Sequence, residues 1–363
     1  MTPAATLRDL KGSDQLDSEL VRDWERLQAG SDALQSPFYA WQFTQIMARH
    51  RDDVSVATFQ DEHGISGILP FHRQKLKVAA PVGAQISDYQ GIIGHLPANL
   101  NAKDALKELG LAAYDFNHVP RDQGLFERAA FRFTHSPRVD LRAGLTDWRN
   151  TVLAQTSSLK NIERKRRKIE RELGSLRFCV HDTDRRAWDA FVLWKRAALE
   201  EQGNSGFLTD AWLNAVIEDI RDTQTAEFSG AFSTLYAGDT LVAAHFGMCS
   251  RTVWHWWFPT YSSDYQKYSP GLILLLFCIE HAAEAGFSEL DFGRGTQRYK
   301  RELSNAQRNL CEGAIIDAGT LGGGARALRK KGYGLLQSAG ASERVIELFR
   351  RGSDRVLGAV RIG

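Results

Sequence analysis

The stretch from Phe228 to Ala318 sets out an order of elements that few folds accommodate. AEFSGAFSTLYA reads as a strand, Gly238-Asp239 as a turn, TLVAAHFGMCS and TVWHWWFPTYS as two further strands. Ser269-Pro270-Gly271 then opens the apolar helix LILLLFCIEHAAEA. Ser suits the N-cap, Pro the first helical position, and Gly286 the C-terminal stop. SELDFG is a strand, TQRYKREL a short helix and RNLCEGAIIDA a last strand. The order β-β-β-α-β-α-β implies a mixed sheet in which a helix crosses between two neighbouring parallel strands.

An earlier part of the chain echoes this. VSVATF, the turn DEHG and ISGILPFHRQ form a strand pair, Asn101–Tyr114 reads as a helix, and DFNHV as a strand. The tetrapeptide SDYQ occurs at 87–90 and again at 263–266, at similar spacing from the preceding turn. The expected fold class is therefore α/β (α+β): two related lobes, each a mixed β-sheet flanked by helices, with a C-terminal helical extension. RFTHSPRVDL carries a Pro-marked boundary, which places the first lobe at 1–145, the second at 146–320 and the extension at 321–363. The second lobe begins with two helices, one capped by Thr146 or Asp147, the next capped by Ser157 or Ser158 and stopped by Gly174. Helices over Trp188–Glu201 and Thr209–Arg221 follow.

At 363 residues and a formal charge of +2, the chain affords a sizeable core and names no partner by its net charge. Cys179, Cys249, Cys278 and Cys311 are scattered, without C-x-x-C pairs or metal-ligand spacing, so no metal is expected and the thiols suit a reducing cytoplasm. The start MTPAATLRDLKGSDQ has no secretory pattern, and the longest apolar run, Leu272–Ile279, is too short to span a bilayer. A cytoplasmic location follows as the expectation. The tail after residue 322 is basic and amphipathic, with Val345, Ile346, Leu348 and Phe349 near one face. It packs back on its own domain, or it meets the inner face of the membrane or a regulatory anion.

The run Asp291-Phe292-Gly293 invites a protein-kinase reading, but no H-R-D loop, no G-x-G-x-x-G and no P-loop precedes it. A helix entered through Ser-Pro-Gly, between a β-meander and a strand, instead offers backbone N–H groups and the positive end of its dipole. Ser269, Pro270, Gly271 and Leu272 are thus the candidate site for a pyrophosphate.

Tyr268-Ser-Pro-Gly271, the helix ending AEAGF, Leu290-Asp-Phe-Gly-Arg-Gly295 with Tyr299-Lys300 behind it, and the basic SLKNIERKRRKIERELG together carry a family resemblance. The chain resembles the cellulose-biosynthesis acetyltransferase-like (CelD/BcsL) branch of the GNAT superfamily over roughly residues 150–315, and its first lobe does so loosely. That family is similar to the FemAB peptidyltransferases, which also pair two GNAT-like lobes. The resemblance implies direct acyl transfer from acetyl-CoA or another acyl-CoA to a small-molecule or lipid-linked sugar acceptor of a bacterial exopolysaccharide or envelope precursor. Such chemistry positions two substrates, removes a proton from the nucleophile and steadies an oxyanion.

On that reading Asp291, at the end of a central strand, is the base or an acceptor anchor; the alternative is a cap on the following helix or a pair with Arg294. His245 is a second base candidate or a satisfied core histidine. Tyr268 belongs to the thiolate or phosphate side. Trp257 and Tyr261 are cleft candidates in an aromatic strand otherwise read as core. Arg294, Tyr299 and Lys300 bind an acidic acceptor or form a solvated helix face. Lys160, Arg164 and Arg167 share one helical face that holds phosphates or is simply solvated. Their lack of interleaved aromatics argues against general nucleic-acid binding. Two competing functions remain: an aminoacyl-tRNA-dependent, FemAB-like peptidyltransferase on a peptidoglycan precursor, and a non-catalytic nucleotide-sensing module.

Overall fold

The computed structural model describes residues 5–12, 15–201, 210–342, 345–346, 348–349 and 352–353. They divide into two units, Met1–His135 with Asn309–Gly363 (unit 1) and Ser136–Arg308 (unit 2). In chain order unit 1 begins with β1 (Ala5–Leu10), α1 (Ser18–Ala29), α2 (Trp41–His50), β2 (Val54–Asp61) and β3 (Gly64–Gln74). It continues through β4 (Val78–Pro81), β5 (Ile93–Gly94), α3 (Ala102–Glu108), β6 (Ala113–Pro120) and α4 (Gly124–Ala129). Its sheet runs β1-β2-β3-β4-β6, antiparallel except where β4 meets β6 in parallel, and β5 adds to β3. Asn101 caps α3 by accepting from Lys103 and Asp104 N–H groups. This helix is shorter than the expected Asn101–Tyr114, because Gly110, in the left-handed region at φ 65°, turns the chain and Ala113 already pairs with Val78.

The strand β7 (Ala130–Asp140) leads into unit 2. There follow α5 (Leu145–Gln155), α6 (Ser158–Leu173), β8 (Leu176–Cys179), α7 (Arg185–Glu201) and α8 (Ala211–Asp222). Next come β9 (Phe228–Ala237), β10 (Thr240–Ser250), β11 (Val253–Tyr261), α9 (Pro270–Glu284), β12 (Glu289–Asp291), α10 (Arg298–Leu303) and β13 (Ala306–Ile316). The expected helix start at Thr209 lies outside the described residues. The sheet of unit 2 runs β7-β12-β11-β10-β9-β8, with β11 and β12 parallel and the remaining pairs antiparallel. This is the mixed α/β architecture expected, and in each unit the three-strand meander is followed by a parallel step.

The division differs from the boundaries expected at 145–146 and 320–321. The second half of β7 pairs with β12, as Asp291 does with Arg138. The second half of β13 pairs with β6, as Ile315 does with Tyr114. Each lobe thus receives its last strand from the segment that follows the other lobe in the chain, and a Pro at 137 does not end the strand that contains it.

The core of unit 2 is built on α9, which is apolar all round and buries Ile273, Leu274, Leu275, Leu276, Cys278 and Ile279. Each such side chain contributes about 1.5–3 kcal/mol on burial. The basic helix α6 joins this core through Leu159, Ile162 and Ile169. On the opposite face of the sheet, Trp188 and Phe191 of α7 pack edge-on against Phe232 and Phe246.

Helix α11 (Leu321–Ser338) belongs to unit 1 and carries the first part of the basic tail. Two of its cations turn inward: Arg326 pairs with Asp115 at 2.7 Å, and Arg329 lies 3.8 Å from Glu312. Tyr333 stacks on Phe131 and meets Phe349 edge-on, while Val345 and Leu348 are exposed. Packing back on its own domain is therefore what this helix does. The tail beyond Ser353 lies outside the described residues.

Candidate active site

Strand β12 is short. It pairs with β11 only at Val253–Glu289, Trp254–Leu290 and His255–Asp291, after which the chain turns away through Gly293 at φ 68°. The second half of β11, from Trp256 to Tyr261, has no β12 residue beside it, so the parallel strands part. A cavity of about 560 Å³ opens on the α9 side of this wedge, within the ~300–1,000 Å³ range of small-molecule sites. Its walls come from α6 (Asn161, Ile162), β11 (Trp256, Tyr261), the start of α9 (Ser269, Gly271) and α10 (Tyr299, Glu302).

The helix entrance differs in detail from what Ser-Pro-Gly suggests. Ser269 adopts the left-handed conformation (φ 54°, ψ 53°) and makes no side-chain cap. A non-glycine residue there costs about 1–2 kcal/mol, and such strain gathers at functional sites. Its hydroxyl instead meets Lys165 Nζ at 2.6 Å. The Ser269 carbonyl accepts from both Leu272 and Ile273 N–H groups, and Pro270 has none to give. Among the described residues that leaves the Gly271 N–H, on the cavity wall, as the open donor of the first turn. The expected array of several free N–H groups is thus one N–H, the helix dipole and a lysine. Gly271 backs onto Tyr261, whose ring would lie 3.3 Å from an added Cβ.

Tyr299 projects from α10 into the same cavity. Burial pushes its hydroxyl up to about 12, against the pull of the neighbouring Trp256 indole. It is therefore protonated at neutral pH and able to donate. Tyr268, the sequence candidate for this work, faces elsewhere: its hydroxyl donates to Glu172 Oε2 at 2.7 Å and it does not line the cavity.

Asp291 is fully buried. Its Oδ1 accepts from the Gly293 N–H at 2.6 Å and the Ser136 hydroxyl at 3.0 Å, and lies 3.6 Å from His255 Nδ1. It holds the turn that opens the wedge, and it is not part of the cavity wall. His245 is fully buried too, stacked flat behind Trp256 with ring centroids 3.8 Å apart. Its Nε2 accepts from the Trp257 N–H at 3.2 Å. Burial, then the neighbouring His255 and Lys195, hold it well below the ordinary imidazole range, so it is neutral. This matches the core-histidine alternative.

Lys300 is neither solvated nor in the cavity: it is buried and donates to the Gly293 and Arg294 carbonyls at 3.3 and 3.1 Å, clamping the turn after β12. Arg294 takes part through that carbonyl. Trp257 stacks on Phe258 and approaches Phe246, on the α7 face. Lys160, Arg164 and Arg167 are exposed on the outer side of α6, with Arg164 bonded to Asn161.

The structure therefore brings Tyr261, Ser269, Gly271, Leu272 and Tyr299 together at the cavity and leaves Asp291, His245, Tyr268, Trp257 and the outer α6 stripe out of it. Lys165 and Trp256 were missed. The signal for Lys165 was present: Leu159, Ile162 and Ile169 mark the inward face of α6, and 165 falls in the gap of that stripe.

Residues 156–301, from α6 to α10, match the acetyltransferase (GNAT) domain family. No curated protein matches the chain. Among solved structures the chain is similar to FemX, with 10% identity over 83% of this chain and 96% of that one and a TM-score of 0.50. The C-terminal domain (DUF2156) of a putative lysylphosphatidylglycerol synthetase from Agrobacterium fabrum aligns at 14% identity over 74% and 87%, with a TM-score of 0.47. A tandem GNAT protein from the clavulanic acid biosynthesis pathway aligns at 10% over 86% and 98%, with a TM-score of 0.43. At this identity the likeness to FemX speaks to the fold alone, and the family match spans the cavity residues from Ser158 to Tyr299.

Proposed function

We propose that unit 2 is an acyltransferase that moves an acyl group from acyl-CoA, most simply acetyl-CoA, to an amine or hydroxyl of a sugar-bearing acceptor. The observation that carries this reading is the cavity itself. It lies where β11 parts from β12, and α9 begins at its wall with the Gly271 N–H open and Lys165 beside Ser269. A pyrophosphate is matched by that N–H, the helix dipole and the ammonium. The acyl-pantetheine arm then runs along the free half of β11. Backbone N–H groups of the parted strands face the developing oxyanion, and Tyr299 supplies a proton to the departing sulfur.

The acceptor reading, a precursor of an exopolysaccharide or envelope polymer, draws on the sequence resemblance to the CelD/BcsL branch. For a lipid-linked acceptor it draws also on α11, whose exposed Leu321, Leu328 and Leu335 recur every seven residues beside exposed Lys331. That face suits an anionic lipid surface. A second reading keeps the cavity and changes the donor to aminoacyl-tRNA, because Lys160, Arg164 and Arg167 line the outer side of the helix that forms one wall.

Calorimetric titration with acetyl-CoA tests the first reading: binding that disappears in a Gly271→Pro variant, which lacks the N–H, is the expected result. No binding by the unaltered protein, together with ribonuclease-sensitive transfer, would replace it with the second.

A further inference from the structure

The cavity proposed for the acyl donor lies on the α9 face of the sheet, and the α7 face lies across β11 from it. One titratable side chain of α7 is already there. Lys195 holds its Nζ over the ring of Phe258, 5.5 Å from the centroid, and 3.4 Å from the Pro259 carbonyl. Pro259 also forms part of the cavity wall. A single residue of β11 therefore separates the Lys195 amine from the donor site.

We propose that Lys195 takes the proton from the acceptor nucleophile during acyl transfer. The inference rests on the acyltransferase reading above and assigns the base that reading lacks.

The surroundings suit that role. Among the described residues Lys195 forms no ion pair. Among the described residues the charged or titratable groups that act on it are Lys300 of α10 and His245 of β10, and β11 meets it with the Phe258 ring and the Pro259 carbonyl. Burial, then the Lys300 ammonium, bring its amine down to about 8. An uncharged amine is thus available near neutral pH, which fits a base and does not fit a permanent anion anchor. The other candidates are disqualified by position: His245 lies behind Trp256, and Asp291 is wholly buried in bonds to Ser136 and Gly293.

The step balances. The acceptor's nitrogen or oxygen forms a bond to the thioester carbonyl carbon and gives its proton to the neutral Lys195 Nζ. The C–S bond breaks, and the sulfur takes the Tyr299 hydroxyl proton. Lys195 then releases a proton to solvent and Tyr299 regains one, so that acyl thioester and acceptor become acylated acceptor and free thiol.

The test uses the full chain, acetyl-CoA as donor and glucosamine as the probe acceptor, with thiol release followed from pH 6 to 10. Calorimetry reports acetyl-CoA affinity separately. In the unaltered protein kcat/KM, calculated on the concentration of glucosamine present as free amine so that the acceptor's own titration is removed, should rise with pH through a limb near 8. Lys195→Met should lose that limb and fall about 10²- to 10⁴-fold, with acetyl-CoA affinity unchanged. Lys195→Arg should be equally impaired, because a guanidinium stays charged. Competitive acetic-anhydride labelling of the unaltered protein should show Lys195 reacting as an amine of lowered basicity. A Lys195→Arg variant with wild-type rate, or a Lys195→Met variant that keeps the limb, would overturn the assignment. Failure of the unaltered protein to bind acetyl-CoA would instead refute the donor reading, and Lys195's role with it.

Discussion

Lys165 Nζ and Ser269 Oγ lie 2.6 Å apart. This contact places a cation from α6 at the start of α9, beside a serine whose backbone is held in the left-handed region. A charge-assisted hydrogen bond is worth about 1.5–3 kcal/mol, so Lys165→Met should weaken CoA binding about 10- to 100-fold. Lys160→Met, on the exposed side of the same helix, should change it little. Calorimetry at low and at raised salt decides the matter, and equal effects from the two substitutions would remove Lys165 from the site.

On the proposed reading Tyr299 takes the sulfur-side role that the sequence suggests for Tyr268, whose hydroxyl is bound to Glu172 outside the cavity. Tyr299 lines the cavity and its hydroxyl is pushed up to about 12 by burial, which makes it the proposed proton donor to the leaving sulfur. Tyr299→Phe should lower kcat by about 10²-fold and leave acetyl-CoA affinity nearly intact. Tyr268→Phe removes a bond to the exposed Glu172 and should leave kcat within about twofold of the starting value, since exposed partners contribute little. The reverse pattern in single-turnover rates would restore Tyr268 to the chemistry.

The two SDYQ tetrapeptides show where sequence reading succeeds and where it stops. Their spacing correctly suggested repeated lobes, and each follows the strand that enters a parallel step. Yet Gln266 lines the open cavity. Gln90, its counterpart, is buried: its side chain accepts from the Asn117 and His118 N–H groups and donates to Asn117 Oδ1. The corresponding wedge of unit 1 is stitched to β6, and nothing in the tetrapeptide distinguishes a wall from a plug. Element types were legible because hydrophobic period and Gly/Pro/Ser punctuation are local. The exchange of β7 and β13 between lobes and the burial of Asp291 against Ser136 are set by long-range pairing, which no window of sequence contains.

Helix α11 is tied to unit 1 by buried charge. Arg326 and Asp115 are both nearly inaccessible. Removing one partner leaves an uncompensated buried charge, at a cost of about 3–5 kcal/mol. Arg326→Met should therefore lower the stability of unit 1 by that order in urea denaturation. The double variant Arg326→Met with Asp115→Asn should recover a large part of the loss. Equal destabilisation by the single and the double variant would show that the arginine contributes packing and not charge pairing.

Each lobe also carries a buried histidine in the strand before its parallel step, and both use Nε2 to accept a backbone N–H. His72 accepts from Gly83 at 3.0 Å and His245 from Trp257 at 3.2 Å. Burial holds both below the ordinary imidazole range, although Asp53 pulls His72 the other way. A folded-state value below the unfolded one of about 6.5 means the unfolded chain binds more protons as acid is added. The stability these histidines provide is fully present above pH ~6.5 and is lost as pH falls below it, by up to about 1.4 kcal/mol per pH unit for each. Protonation also breaks the N–H acceptance, since an imidazolium has no acceptor nitrogen. His245→Gln keeps an acceptor and cannot titrate, so its stability difference from the unaltered protein should shrink steadily from pH 7.5 to pH 5. Denaturant midpoints across that range check the sign, and a difference that stays constant with pH would mean that His245 titrates alike in the folded and unfolded chain.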